Sequence, residues 1–229
     1  MVIRFFLSVT LMIVSLNSWG SCFDKLLDIR TNFENCKSLA ETGDVESQSF
    51  VGVMYYEGSG VEQDFRKAYF WLKQSSNQGD DYSQYNLGQM YEKGLGIRRD
   101  YKKSVGWYRK SAAKGNARAQ LSLGLMYYKG KGVTQDYKES VKWFRLAADQ
   151  GGSKAQYNLG VMYDEGRVVL QDYKKAVKWY RLAADQGNSS AQYNLGNKFY
   201  NGQGVLQDYK EAVKWYRKSA EQGDFLAQY

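Results

Sequence analysis

The chain has 229 residues, a formal net charge of +8, 16% aromatic residues and no proline. The lack of proline is typical of a chain built almost wholly of helices. There is no histidine, which removes the commonest general base and metal ligand. Two cysteines are too few for a Cys-rich zinc site. We therefore expect no metal, no cofactor and no catalytic residue.

The first 20 residues read MVIRFFLSVTLMIVSLNSWG and are typical of a secretory signal peptide. Arg4 gives a basic start, an apolar run follows, and small residues precede cleavage after Gly20. We expect an exported protein, periplasmic or secreted, with no stable membrane span, because the apolar run is short for a bilayer. A lipoprotein anchored through Cys22 is the minority alternative, since Trp19 stands where that motif needs an aliphatic residue.

Residues 21–43 read as a degenerate half repeat that caps the N-terminal end of the stack described below. Its two cysteines, Cys22 and Cys36, are expected to form a disulfide in an exported protein. On one straight helix they would lie about 21 Å apart, far beyond disulfide reach. The chain must therefore fold back before the helix of this segment begins.

The rest of the chain repeats itself every 36 residues. Glycines mark the step at Gly52, Gly88, Gly124, Gly160 and Gly196, and tryptophans mark it at Trp71, Trp107, Trp143, Trp179 and Trp215. A fixed period of this length is the signature of a stacked repeat protein. The predicted units are 44–79, 80–115, 116–151, 152–187 and 188–223, followed by an incomplete repeat at 224–229.

Each unit divides into two predicted helices, as the second repeat shows. The first helix covers 83–93 and ends at Gly94, where a positive φ costs little. Asp100 precedes the second helix, over 101–114, and is expected to cap it. Gly88 lies inside the first helix at a cost of about 1 kcal/mol. We therefore expect bulky side chains of the neighbouring helix to press onto its backbone.

Two further expectations concern particular positions. The loop Gly166–Val169 of the fourth repeat lacks the second glycine that the other loops carry. The turn there is expected to differ locally. Trp143 of the middle repeat is expected to be buried, so that its replacement by alanine costs about 3–5 kcal/mol.

The recurring pattern is A-x-Y-x-L-G-x-M-Y-x-x-G-x-G-V-x-x-D-Y-x-x-A-x-x-W-Y-x-x-A-A-x-x-G, over nearly all of 44–223. It resembles the Sel-one-like repeat family, which is related to the tetratricopeptide repeat. The resemblance implies an all-α fold, a right-handed superhelix of antiparallel helix pairs. It also implies a non-enzymatic adaptor that binds a protein or peptide on its concave side.

Some secreted, cysteine-rich members of that family are associated with β-lactam binding or weak hydrolysis, and they carry a disulfide in each repeat. This chain lacks those cysteines. An enzyme acting on β-lactams or cell-wall material is therefore kept as the alternative function. Ser111 and Lys114 match the S-x-x-K motif of serine β-lactamases, but no S-D-N or K-T-G motif accompanies them. Ser111 is more simply a small residue where the second helix packs.

In tetratricopeptide-like arrays the first helices line the concave groove, and one stripe at i, i+4 and i+7 would face it. The groove residues predicted on this basis are Tyr85, Gln89 and Glu92; Leu121, Leu125 and Tyr128; Tyr157, Val161 and Asp164; Tyr193, Asn197 and Tyr200. The stripe is rich in aromatic residues and varies between repeats, as a recognition surface would. The alternative is that Tyr85, Tyr157 and Tyr193 pack against the next unit.

The second helices carry a ladder of arginines at Arg109, Arg145, Arg181 and Arg217. One interpretation is a phosphate-binding ridge. A solvated convex face is the favoured interpretation, because the basic residues are spread over all repeats. Together with the predicted export, this argues against a nucleic-acid partner.

Overall fold

The computed structural model describes residues 22–24, 26–167 and 170–223. This part of the chain contains eleven α-helices and no strand, which confirms the predicted all-α class. In chain order they are α1 (Ile29–Glu41), α2 (Val45–Glu57), α3 (Phe65–Asn77), α4 (Asp81–Lys93), α5 (Tyr101–Ala113), α6 (Ala117–Lys129), α7 (Tyr137–Asp149), α8 (Ser153–Glu165), α9 (Tyr173–Asp185), α10 (Ser189–Asn201) and α11 (Tyr209–Ala220). The predicted signal peptide, the unusual loop positions Val168–Val169 and the incomplete repeat at 224–229 lie outside the described residues.

The helices pack in pairs that stack along one direction. In each repeat the first helix packs most extensively against the second, as α4 does against α5. The second helix then contacts the first helix of the following repeat, as α5 does with α6. α1 packs on α2 in the place that a second helix would take, so it covers one end of the stack. The result is the solenoid of helix pairs that the period predicts.

The helix ends follow the predicted local signals. The carboxylate of Asp100 accepts a hydrogen bond from the backbone N–H of Lys103 at 3.0 Å, which caps α5. Gly94 ends α4 with a φ of 74°. The helices α1, α3, α7, α9 and α11 are capped in the same way by Asp28, Asp64, Asp136, Asp172 and Asp208.

The glycine inside each first helix lies against a large side chain of the paired second helix, as predicted. A Cβ atom added to Gly88 would lie 2.5 Å from the ring of Tyr108. The equivalent pairs are Gly52 with Leu72, Gly124 with Phe144, Gly160 with Tyr180 and Gly196 with Tyr216. Only a residue without a side chain allows the two helices to approach this closely, which outweighs its poor helix propensity.

The burial predicted for Trp143 is wrong. Its side chain is half-buried, and the indole Nε1 donates a hydrogen bond to Oε2 of Glu139 at 3.1 Å. The fully buried aromatic is the following residue, Phe144, which is 1% exposed. Adjacent helical residues point about 100° apart, so Trp143 lies to the side of the face that Phe144 turns toward the first helix. Toward the C-terminal end, Trp179 and Trp215 are buried.

The N-terminal cap folds back on itself, as the cysteine spacing requires. The backbone N–H of Asp24 donates to Oδ1 of Asn32 at 2.7 Å, and Nδ2 of Asn32 donates to the Asp24 carbonyl at 2.8 Å. This brings Cys22 and Cys36 to disulfide distance, with their Cα atoms 4.8 Å apart. The reversal occurs before α1 begins, so the helix itself is undistorted.

Glutamine side chains tie each repeat to the preceding one. In the third repeat, Nε2 of Gln150 donates to Oε1 of Gln120 at 2.8 Å and to the carbonyl of Gly115 at 3.0 Å. Gln120 in turn donates to the carbonyl of Ala112 at the end of α5. The pairing of glutamine side chains recurs at Gln78 with Gln48, Gln186 with Gln156 and Gln222 with Gln192. The bonds to Ala112 and Gly115 satisfy backbone carbonyls at the end of the preceding second helix.

All eleven helices are short, with 12 or 13 residues each. A helix needs about 20 predominantly apolar residues to cross a bilayer. Within the described part of the chain, no helix is both long and apolar enough to do so.

Candidate functional site

The twelve predicted groove residues all lie on the first helices α4, α6, α8 and α10. Eleven of them are half-buried, and Tyr200 is exposed, with 52% of its surface accessible. Each helix thus presents one partly accessible stripe, with its remaining faces committed to the core or to solvent. Partial burial is what a side chain needs to be held rigidly and still offer a contact surface.

The tyrosines at the start of the stripe pack within their own repeat rather than against the next one. The ring of Tyr157 lies 6.0 Å from that of Tyr180, its partner on the second helix. Tyr85 with Tyr108 and Tyr193 with Tyr216 are arranged in the same way, at 6.0 and 5.7 Å. These tyrosines therefore contribute to the core, although part of each ring remains accessible.

Polar groups of the stripe satisfy buried tyrosine hydroxyls. The hydroxyl of Tyr108 donates to Oε2 of Glu92 at 2.7 Å, and that of Tyr180 donates to Oδ2 of Asp164 at 3.2 Å. Burial, and then the charge of the Glu92 carboxylate, raise the pKa of Tyr108 well above its usual range. In the third repeat, where the second helix has Phe144, no acceptor is needed and the stripe has none.

In the last repeat the acceptor has moved along the helix. The hydroxyl of Tyr216 donates to Oδ1 of Asn197 at 2.7 Å, one turn before the position that serves in the second and fourth repeats. That position is Tyr200 in the last repeat. Glu92, Asp164 and Asn197 thus have a structural role that the predicted groove function did not include.

The centre of the stripe is apolar. Leu121, Leu125 and Tyr128 on α6, with Tyr157 and Val161 on α8, pack as partly buried residues against one core cluster. The flanking helices place polar side chains among the equivalent positions. The surface therefore changes from polar to apolar and back along the stack, which would distinguish one ligand from another.

Two tyrosines at the end of the stripe form aromatic pairs with the following helix. Tyr128 lies 5.5 Å from Tyr137, and the Arg167 guanidinium lies 5.8 and 5.6 Å from the two rings. Tyr200 lies 5.3 Å from Tyr209, and both rings are more than half exposed. Aromatic rings with a polar tip are frequent contact residues in interfaces.

A buried ion pair links the fourth and fifth repeats. The Lys198 ammonium, in a side chain only 8% exposed, pairs with Oδ1 of Asp164 and donates a further hydrogen bond to Oε1 of Gln203 at 2.9 Å. It also lies 4.7 Å from the centre of the Tyr173 ring. The other first helices have methionine at this position, at Met54, Met90, Met126 and Met162. Lys198 was not among the predicted groove residues, although its departure from that methionine is visible in the sequence.

The arginine ladder has a role that neither interpretation anticipated. Nη2 of Arg109 donates to the hydroxyl of Tyr127 at 2.7 Å, and Arg145 donates to the hydroxyl of Tyr163 in the same way. Each bond joins a second helix to the first helix of the next repeat. These two arginines therefore fasten adjacent repeats, in addition to lying on a partly solvated surface.

The S-x-x-K match has a structural explanation. Ser111 is fully buried, and its hydroxyl donates to the carbonyl of Asp81 at 2.7 Å. Ser219 makes the equivalent bond to the carbonyl of Ser189 at 2.9 Å. The Lys114 ammonium donates to the carbonyl of Gly79. The Ser111 hydroxyl is thus held in a buried contact between the two helices of one repeat. Among the described residues, no group of acids or cysteines is arranged to hold a metal ion.

Comparison with solved structures gives relatives that share most of this chain. One is c5321, described as a protective antigen present in uropathogenic Escherichia coli strains displaying an SLR fold. It is 42% identical with a TM-score of 0.82, and the match covers 88% of this chain and 43% of that one. The chain therefore spans less than half the length of c5321.

A Sel1 repeat protein from Oxalobacter formigenes is 32% identical, also with a TM-score of 0.82, over 87% of this chain and 79% of that one. A putative Sel1 repeat protein from Klebsiella pneumoniae is 20% identical over 85% of this chain and 95% of that one, with a TM-score of 0.56, and supports the fold alone. Among curated proteins none matches.

The family model of the Sel1 repeat matches five consecutive segments. They are residues 45–80, 81–116, 117–152, 153–188 and 189–224. Each segment begins at a first helix. Its glycine, aromatic and capping residues make the packing contacts described above. The chain belongs to the Sel1 repeat family.

Proposed function

We propose that this chain is an exported Sel1 repeat scaffold that binds a protein or peptide in a groove lined by its first helices. One observation carries the proposal. The residues that hold the solenoid together recur at every repeat, whereas the half-buried stripe on the first helices changes from one repeat to the next. Bonding to tyrosine hydroxyls accounts for Glu92, Asp164 and Asn197. A ligand is the reason we propose for the variation at the other stripe positions.

The apolar centre of the stripe supports a protein or peptide ligand in particular. Leu121, Leu125 and Val161 offer apolar surface, and Tyr128 adds an aromatic ring with a hydroxyl at its edge. Interface cores have this composition, with few charges and enriched aromatic residues. Sel1 and tetratricopeptide-like solenoids are scaffolds for such interactions, and we propose the same action without catalysis here.

Paired alanine substitutions test the groove. Tyr128→Ala and Tyr200→Ala should weaken binding of a partner recovered with the wild-type chain by roughly 10-fold or more, the effect of losing an aromatic interface contact. Leu146→Ala and Leu182→Ala are the controls, because these residues are 42% and 40% exposed on second helices. If the control variants lose affinity and the tyrosine variants keep it, the groove assignment is wrong.

Export has separate support in the cap. The sequence predicts a signal peptide over residues 1–20, and Cys22 and Cys36 lie at disulfide distance just after it. Disulfides persist mainly in oxidising compartments. Mass spectrometry of the protein from fractionated cells should find a mature N-terminus at Ser21. An intact N-terminus in the cytoplasmic fraction, with both thiols free, would contradict export.

The absence of catalysis is tested on the same preparation. Because the hydroxyl of Ser111 is buried and donates to a backbone carbonyl, we expect no turnover of nitrocefin. Turnover by the wild type that disappears in Ser111→Ala, with folding retained, would favour the enzymatic alternative.

A further inference from the structure

Glu92 and Asp164 occupy the same position in the second and fourth repeats, at the end of the groove stripe. Each gives one carboxylate oxygen to the hydroxyl of a buried tyrosine. In Asp164 the other oxygen, Oδ1, is paired with the ammonium of Lys198 from the next first helix. The fourth repeat thus shows a complete arrangement of tyrosine, carboxylate and cation.

The second repeat has the same arrangement without the cation. The residue equivalent to Lys198 is Met126, which is 2% exposed and has no charge. Over the described residues, no lysine or arginine lies within 4.0 Å of the Glu92 carboxylate. Among the described residues, Oε1 of Glu92 therefore has no cation in the place that Lys198 takes beside Oδ1 of Asp164.

Two cations of the loops that follow α4 and α6 are engaged on an aromatic ring. Lys131 and Arg99 lie 5.3 and 5.5 Å from the ring centre of Tyr101, the residue equivalent to Tyr173. In the fourth repeat, Lys198 lies over the equivalent ring, that of Tyr173. Neither Lys131 nor Arg99 lies within 4.0 Å of the Glu92 carboxylate. The open position beside Glu92 faces the groove stripe, since Glu92 shares that stripe with Tyr85 and Gln89.

We propose that the groove ligand is a peptide segment carrying a lysine or arginine that pairs with Glu92, next to an apolar side chain on Leu121 and Leu125. This rests on the proposed groove function and names its partner chemistry. The basic and the apolar residue of the ligand would thus contact the first helices of two successive repeats, α4 and α6.

A positional-scanning library of acetylated nonapeptides, titrated against the purified chain, tests this. The wild type should select lysine or arginine at one position and a bulky aliphatic residue at another. In Glu92→Gln the amide oxygen still accepts from Tyr108, but the charge is lost. The best lysine peptide should then bind roughly 10-fold to 100-fold more weakly, as expected for a charge-assisted hydrogen bond.

Two controls make the loss specific. Replacing the lysine of that peptide by norleucine should weaken binding to the wild type and have little further effect in Glu92→Gln. Glu57→Gln removes a carboxylate from the exposed end of α2, outside the stripe, and should leave the lysine preference unchanged. Equal thermal unfolding midpoints would show that the variants fold alike.

The outcomes separate this inference from the proposed function. Peptides that bind with a dependence on Tyr128 but show no basic preference would overturn the role of Glu92 and leave the groove intact. A lysine preference that survives Glu92→Gln would also overturn it. If no library peptide binds in a manner that depends on Tyr128, the groove function and this inference both fail.

Discussion

At the scale of single residues, the contact between a first-helix glycine and a second-helix ring sets the spacing within each repeat. A Cβ at Gly160 would lie 2.6 Å from the Tyr180 ring, and the ring is enclosed on all sides. Gly160→Ala should therefore destabilise the protein by about 1–3 kcal/mol through overpacking. Gly106 is the matched control, because it lies exposed in α5 with nothing within 4 Å of an added Cβ.

Gly106→Ala should stabilise the protein by about 0.5–1 kcal/mol, the usual difference in helix propensity. Urea denaturation of both variants measures the two effects. A Gly160→Ala protein as stable as Gly106→Ala would mean that the ring of Tyr180 has room to move aside.

Two adjacent aromatics in the middle repeat offer a second comparison. Phe144 is fully buried against Gly124, so Phe144→Ala should cost about 3–5 kcal/mol. Trp143 is half-buried, so Trp143→Ala should cost distinctly less, although it is the larger side chain. Free energies of unfolding from urea titration decide this. The reverse order would contradict the orientation of α7.

Buried and half-buried tyrosines with raised pKa values make the stability depend on alkaline pH. Burial, and then its hydrogen bond with Tyr91, raise the pKa of Tyr69 to about 12, and burial raises the pKa values of Tyr108 and Tyr180 further. In the unfolded chain these hydroxyls ionise near pH 10. The unfolded state then binds fewer protons than the folded state, so stability is complete below pH 10 and falls above it.

The midpoint of thermal unfolding, measured between pH 8 and 11, should therefore decrease above pH 10. Tyr108→Phe and Tyr180→Phe should each reduce this decrease, and Phe144 shows that phenylalanine fits the position. An unchanged pH dependence in the double variant would mean that other groups cause it.

The role of a residue could be predicted from the sequence where it depends on a single position. The capping of α5 by Asp100 and the close approach at Gly88 follow from local propensity, so the sequence was sufficient. The bond between Tyr108 and Glu92 joins residues on two helices, and its partner could not be read from one helix alone. The signal was nevertheless present, since an acid precedes Tyr108 and Tyr180 by 16 positions but does not precede Phe144 in this way.

At the scale of helices, the ion pair of Asp164 and Lys198 fastens α8 to α10. Removing one partner of a buried pair leaves the other charge uncompensated. A double-mutant cycle with Asp164→Asn and Lys198→Met should give a coupling energy of about 1–3 kcal/mol. Methionine is the ordinary residue at this position in the other repeats, so the double variant should pack well. A coupling energy near zero would mean that solvent already screens the pair.

Contacts between helices of different repeats were the least predictable from the sequence. The period predicts that α5 and α6 touch, but not that Arg109 reaches the hydroxyl of Tyr127. Long, flexible side chains have many rotamers, and only the stacked geometry selects one. The position of the stripe on the first helices could be predicted from the sequence, because it depends only on helical periodicity.

At the scale of the whole molecule, the contacts run between neighbouring helices along the chain, as in other repeat proteins. Each repeat therefore depends on its neighbours for stability, while its stripe residues can change independently. This separation of scaffold from surface is the basis of the proposed function. The proposal assigns recognition to the partly accessible stripe on α4, α6, α8 and α10, although several residues of this stripe also take part in packing.

The most direct measurement is site-specific photo-crosslinking in cells. Benzoylphenylalanine is introduced in place of Tyr128 or Tyr200 on first helices, and in place of Leu146 or Leu182 on second helices. The proposed groove predicts that irradiation links the first two positions to one shared partner, which mass spectrometry identifies, while the second two yield no such product. Crosslinks to a shared partner from Leu146 and Leu182 alone would contradict the groove on the first helices.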